Sequence, residues 1–95
     1  VLDVGSGTGV AALAAGRAVG PTGSVIGLDL SEGMLAVARA NAKAEGLDGH
    51  VRFVQGDAEQ PDLPDARFDV VLSLFALLHL PDPDKALAEM LRMLK

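Results

Sequence analysis

The sequence predicts an α/β fold, a doubly wound parallel sheet with strand order 3-2-1-4. Two observations predict it. Short apolar runs alternate with longer segments of helical periodicity along the chain, and this alternation builds parallel sheets through right-handed crossovers. The glycine-rich run Gly5-Ser6-Gly7-Thr8-Gly9 directly follows the first apolar run, where a strand turns sharply into a helix.

Each element follows from local chemistry. Val1 to Val4 is a short apolar strand, and Val10 to Val19, rich in alanine, is a helix ended by Gly20-Pro21-Thr22-Gly23. Ser24 to Leu30 is a second strand. Ser31 caps a helix running to Glu45, with Gly46 as its stop and Met34, Leu35, Ala38 and Ala42 at helical spacing. Val51 to Gln55 is a third strand, with His50 at its far end on the surface. Gly56 to Ala66, with Pro61 and Pro64, is a loop in which Glu59, Asp62 and Asp65 are solvated acids. Phe68 to Leu78 holds a nearly continuous apolar strand. Asp82 and Pro83 open a last helix, with Leu87, Met90, Leu91 and Leu94 as its buried stripe.

Strands 1 to 3 step outward in one direction and strand 4 returns to the other side of strand 1, so a ligand crevice is expected where the order reverses. The fourth run is apolar on both faces, which suits a strand covered by helices on either side. At least one further strand is therefore expected beyond residue 95, and residues 1–95 read as one incomplete domain.

Composition narrows the function classes. A chain of 95 residues, 49% hydrophobic and 22% charged, has the profile of one compact domain. The net charge of −5 and the scatter of the eight basic residues argue against a nucleic-acid partner. No apolar run is long enough to span a membrane. The absence of cysteine excludes a disulfide framework and thiolate chemistry, and makes the cytoplasm the default compartment. No His or Cys ligands stand at metal-binding spacing.

The glycine loop carries the first chemical signal. Its spacing is G-x-G-x-G, whereas a dinucleotide fingerprint needs a third glycine at position 10, which is Val10. Asp3 stands two residues before the first glycine. An anion there does nothing for a pyrophosphate, but it suits a ligand carrying an ammonium group and a sulfonium.

Asp3-Val4-Gly5-Ser6-Gly7-Thr8-Gly9 resembles the first motif of class I S-adenosylmethionine-dependent methyltransferases, which have a Rossmann-like fold. Val25-Ile26-Gly27-Leu28-Asp29-Leu30-Ser31, Gly56-Asp57-Ala58-Glu59 and Phe68-Asp69-Val70-Val71-Leu72-Ser73 fall in that family's order. The match spans nearly the whole chain and looks closest to the small-molecule branch typified by ubiquinone/menaquinone C-methyltransferases. The resemblance also implies a helix before residue 1. Asp3, Asp29 and Asp57 are one strand–helix unit apart, which sets them in a row along the carboxyl edge of the sheet.

The resemblance implies S-adenosyl-L-methionine as cofactor, with Gly5, Ser6 and Gly7 cradling it, Asp3 holding its ammonium group and Asp29 accepting both ribose hydroxyls. Asp57 would accept from the adenine amine beside the Ala58 backbone, Leu30 and Met34 would pack on the purine, and Ser73 would also be a cofactor-binding residue. His79, after strand 4, would border the acceptor, with a purely loop-fastening role as its alternative. Plain structural alternatives stand beside the acids: Asp3 as a helix-start acid, Asp29 as a loop acid, Asp57 as a turn residue.

The implied reaction is in-line transfer of a methyl group to a small-molecule acceptor, in which the protein mainly orients and desolvates. The rival readings are a non-catalytic module that binds the cofactor or its product, and a nicotinamide-dependent oxidoreductase, against which Val10 and Asp57 count.

Overall fold

The computed structural model describes residues 1–74 and 80–95. The elements follow in the order β1 (Leu2–Val4), α1 (Val10–Val19), β2 (Val25–Asp29), α2 (Glu32–Ala44), β3 (Val51–Gln55), β4 (Val71–Leu72) and α3 (Pro83–Met93). The strands form one sheet in the order β3-β2-β1-β4, every neighbouring pair parallel. This is the order that the sequence predicts.

The helix ends show why these segments begin and stop where they do. Ser31 Oγ accepts from the Met34 amide at 3.3 Å and caps α2. Gly46, at φ 70°, turns the chain away beyond its end. Asp82 accepts from the Lys85 amide at 3.1 Å, and Pro83 occupies the first turn of α3, where no amide donor is needed.

The sheet has two packed faces. Ala12 and Leu13 of α1 and Leu35, Ala38 and Ala42 of α2 pack with Val25, Val51 and Phe53 on one. On the other, Leu2, Val4, Ile26 and Leu28 pack with Phe68 and Met93. The alternation along β1 places Leu2 and Val4 in the second cluster and sends Asp3 to the opposite face.

One row across the sheet organises the α1 side. The register sets Phe53 against Gly27, Gly27 against Asp3, and Asp3 against Leu72. A Cβ at Gly27 would sit 2.5 Å from Phe53 Cδ1 and 2.9 Å from Ser6 Cβ. The Phe53 ring therefore leans over a strand residue that has no side chain, and the glycine loop rests beside it.

The structure departs from the sequence reading in several places. Among the described residues β4 is a ladder of Val71–Leu72 paired with Leu2 and Asp3 of β1, shorter than the apolar run Phe68 to Leu78, whose last residues lie outside the described ones. Phe68 makes an isolated bridge with Leu94, so Leu94 is extended and not part of the α3 stripe. The buried side of α3 is Ala86 and Met93 with Met90 beside them, while Leu87 and Leu91 are 43% and 71% exposed. Ala86, Met90 and Met93 also stand at helical spacing, and the small Ala86 lets the helix approach.

His50 is half-buried, not a plain surface residue: its ring nitrogen lies 2.9 Å from the Gly16 carbonyl and fastens the start of β3 to α1. The acidic loop is likewise tied down. Arg92 donates to the Leu63 carbonyl at 2.9 Å and the Pro61 carbonyl at 3.3 Å, and pairs with Asp65 and Glu89.

Replacing Gly27 by Ala forces Phe53 or the loop to move. We expect Gly27→Ala to cost about 1–3 kcal/mol of stability by overpacking. Urea unfolding of the purified protein measures it, and an unchanged midpoint would refute the packing role.

Candidate functional site

The site is built where β1 ends. Gly5, Gly7 and Gly9 adopt φ of 75°, 57° and 93°, left-handed values that side chains disfavour. The resulting loop hangs from β2: the Leu28 carbonyl accepts from the Gly5 amide at 2.7 Å and from the Ser6 amide at 2.9 Å. The Gly9 amide donates to the Ser6 carbonyl at 2.9 Å and closes the turn into α1. No side chain caps α1.

Beside the loop lies a cleft of about 410 Å³ lined by Asp3, Gly5, Ser6, Gly7, Thr8, Val10, Ala11, Met34 and Leu74. Nothing stands within 4 Å of where a Gly7 Cβ would be, so the backbone there faces open space. Met34 is 47% exposed and Val10 72% exposed, which gives the cleft an apolar rim.

The cleft has one unusual group. Asp3 is 1% exposed, and neither of its carboxylate oxygens has a hydrogen-bond partner among the described residues; the buried Ser6 hydroxyl has none either. Unpaired buried polar groups are costly, and in native proteins they mark functional positions. Burial pushes the Asp3 carboxyl up to about 6, and the charge of Asp29 pushes in the same direction. The Ala12 amide pulls the other way, but does not reach hydrogen-bond geometry.

Of the other predicted residues, Asp29, Leu30 and Ser73 lie outside the lining of this cleft, and Asp29 and Ser73 bond to the backbone beside it. Asp29, at the end of β2, accepts from the Gly7 amide at 2.8 Å through one oxygen and from the Ser31 amide at 2.9 Å through the other. Leu30 is 68% exposed, and its carbonyl accepts from the Gln55 side chain at 3.1 Å. Ser73 donates to the Val4 carbonyl at 3.0 Å and so extends the attachment of the β4 side to β1.

Asp57 is exposed past the end of β3, where its carboxylate accepts from the Glu59 amide at 2.9 Å. Ala58 packs against the second core cluster. Neither lines the cleft, although the Gly56 amide beside them donates to the Asp29 carbonyl at 3.0 Å. His79 lies outside the described residues.

Thr8, Ala11 and Leu74 join the cleft lining without having been singled out from the sequence, and Val10, noted there only for its spacing, lines it too. Gly27 and Phe53 shape the floor without touching the cleft, and a glycine inside an apolar strand run was their one legible signal.

A larger groove of about 570 Å³ lies at the opposite end of the sheet, among Gly16, Arg17, Gly20, Pro21, Gly46, Leu47, Gly49 and His50. It contains no unpartnered buried polar group among the described residues. Chemistry, not size, therefore makes the glycine-loop cleft the candidate site. No helix among the described residues is long and apolar enough to cross a membrane.

Residues 1–95 match the family described as Methyltransferase domain. A ubiquinone/menaquinone biosynthesis C-methyltransferase, UbiE, of Ectopseudomonas oleovorans is 44% identical over all of this chain and 56% of its own length. The UbiE of Pseudomonas entomophila is also 44% identical, over 37% of its length. The chain thus spans little more than half, or less, of the curated relatives it matches. Among solved structures, the [4+2]-cyclase SpnF shares 37% identity with a TM-score of 0.90, over 99% of this chain and 34% of that one. An S-adenosyl-L-methionine-dependent methyltransferase candidate from Methanococcus maripaludis superposes with a TM-score of 0.92 at 29% identity, over 99% of this chain and 42% of that one.

The raised Asp3 value fixes a pH signature. Its folded value of about 6 lies above the ordinary 3.8, so between the two the folded state holds a proton that the unfolded chain has released. Asp3 therefore favours folding most at low pH, and that contribution is lost as pH rises through about 6. Asp3→Asn is expected to flatten this part of the stability profile, as read by urea unfolding from pH 4 to 7.5. An unaltered profile would show that the carboxyl is not perturbed.

Proposed function

This chain belongs to the methyltransferase domain family, and we propose that it is the cofactor-binding part of an S-adenosylmethionine-dependent methyltransferase that acts on a small-molecule acceptor. The observation that carries this reading is the buried Asp3 carboxylate in the glycine-loop cleft, which has no hydrogen-bond partner among the described residues. A buried anion repels a pyrophosphate and gains most from a cationic ligand. The ammonium and sulfonium groups of S-adenosyl-L-methionine meet that need.

The residues around the glycine loop fit such a ligand. Asp3 receives the ammonium group, the Ser6 hydroxyl supplies a second polar contact, and Gly5 and Gly7 let the ligand approach the backbone without meeting a Cβ. Asp29 accepts from the ribose hydroxyls through lone pairs that its two amide bonds leave free. Leu30 and Met34 cover the purine, while Asp57 and the Ala58 backbone read its polar edge. Ser73 holds the β4 side in place. When bound, S-adenosyl-L-methionine supplies a methyl group already activated by its positive sulfur. What remains for this chain is to fix that group and shield it from water, work in which positioning supplies several kcal/mol.

Acceptor recognition is assigned elsewhere. His79 is taken to border the acceptor and to accept or orient its proton. The rest of the acceptor pocket belongs to sequence outside residues 1–95. Val70, Leu74, Leu87 and Leu91 are apolar and exposed on the β4 edge and on α3, a surface suited to a further strand and helix. The acidic net charge supports a small-molecule acceptor over a nucleic acid, and the lack of cysteine supports a cytoplasmic setting.

A second reading has an observation in its favour. SpnF, at 37% identity, is described as a [4+2]-cyclase, not a methyltransferase. Under this reading the cleft binds the cofactor or its product while the protein performs different chemistry.

Calorimetry on the full-length protein separates these readings from a nicotinamide enzyme. We expect S-adenosylhomocysteine to bind and NAD not to; the reverse result would overturn the cofactor assignment. Asp57→Ala is expected to weaken S-adenosylhomocysteine by about 1 kcal/mol through one lost hydrogen bond, and an unchanged affinity would remove Asp57 from the adenine role. Product binding with no transfer to any acceptor would favour the second reading.

A further inference from the structure

We infer that Asp29 is a positioning residue that sets the two walls of the cleft against each other, a role separate from any contact with ribose. The geometry is direct. One carboxylate oxygen accepts from the Gly7 amide at 2.8 Å, and the other accepts from the Ser31 amide at 2.9 Å. Gly7 belongs to one wall of the cleft. Ser31 caps α2 through the Met34 amide, and Met34 belongs to the other wall. A single carboxylate therefore bridges the loop that opens α1 and the turn that opens α2.

The bridge matters because the loop has few other fastenings. The Gly5 and Ser6 amides share the Leu28 carbonyl, the Gly9 amide bonds within the loop, and the Asn41 side chain of α2 donates to the Thr8 carbonyl at 3.3 Å, a longer bond to a neutral acceptor. Gly7, at φ 57° with open space on its Cβ side, is restrained by no packing against a side chain. A glycine so free holds its left-handed turn only through its hydrogen bonds. Charge-assisted acceptance by Asp29 is the strongest bond available to it. Asp3 stays with β1, paired to Gly27 and Leu72, so a loop released from Asp29 shifts the Gly7 backbone relative to the Asp3 carboxylate in the same cleft.

Substitution separates the two roles. Asn at position 29 keeps one acceptor oxygen and turns an NH2 donor towards one of the two amide donors, so one of the bonds is lost. If Asp29 serves ribose alone, Asp29→Asn harms only ligands with ribose hydroxyls. If it also braces the loop, ligands without those hydroxyls suffer as well.

The test uses the full-length protein, with S-adenosylhomocysteine and its 2′,3′-dideoxy analogue as probes in calorimetry, and amide exchange by NMR in the ligand-free state. We expect Asp29→Asn to weaken the dideoxy analogue about tenfold, equivalent to roughly 1.4 kcal/mol. We also expect it to speed Gly7 amide exchange at least about tenfold, while the Ile26 amide, bonded to the Val1 carbonyl at 2.9 Å, keeps its rate. An unchanged dideoxy affinity together with unchanged Gly7 exchange would overturn the brace. Should the variant not fold, the unmodified protein still decides, because an unprotected Gly7 amide there is incompatible with the bond to Asp29. The ligand arm rests on the cofactor reading above and the exchange arm does not. If neither probe binds the unmodified protein, the cofactor reading fails while Gly7 exchange still judges the brace.

Discussion

The binding edge depends on one acceptor, the Leu28 carbonyl at the end of β2, from which the Gly5 and Ser6 amides both hang. A strand that runs on would spend that carbonyl on its neighbour. Here β1 has already ended, and the glycines turn its continuation back over β2. Everything at the cleft follows from this turn. It places the Ser6 hydroxyl beside Asp3 on the α1 side, brings Gly7 within reach of Asp29, and starts α1 with no side-chain cap. The turn in turn needs room beneath it, and that room exists because Gly27 has no side chain where Phe53 and Ser6 converge.

The site is also electrostatically uneasy. Two carboxylates lie at the ends of adjacent strands, and they are treated differently. Asp29 has two amide donors and remains half-buried, whereas Asp3 has none among the described residues and is sealed beneath the loop. The charge of Asp29 makes ionisation of Asp3 harder still. A fold selected only for stability has no use for such an arrangement, since an apolar residue at position 3 would pack without penalty. Stability given up at one buried position, within a row otherwise well packed, is the usual mark of a ligand site.

The sheet order and the helix caps at Ser31 and Asp82 were legible in the sequence because each rests on local chemistry: apolar runs, cap residues and stop signals. Asp3, Asp29 and the glycine loop were legible for a similar reason, since their spacing repeats with the strand–helix unit. Features that depend on how distant segments meet were not. The pairing of β4 is set by its register with β1, and the buried side of α3 by Ala86 and Met93 and not by Leu87 and Leu91. His50 gave no hint of its bond to Gly16, because its partner lies on a helix far away in the chain. The Asp29 brace was hidden likewise: a carboxylate suited to ribose looks the same in sequence as one that also holds a loop.

Arg92 gives the segment after β3 a mechanical character. Its guanidinium reaches back from the last turn of α3 to the Pro61 and Leu63 carbonyls and to Asp65, while at the other end of the helix the Asp82 amide donates to Glu59 at 3.3 Å. The acidic loop is thus clamped to α3 at both ends, and works as a strut and not as a tether. Any rotation of α3 against the sheet drags the Asp57–Glu59 turn with it. The exit of β3 is thereby coupled to α3 along the whole length of that helix.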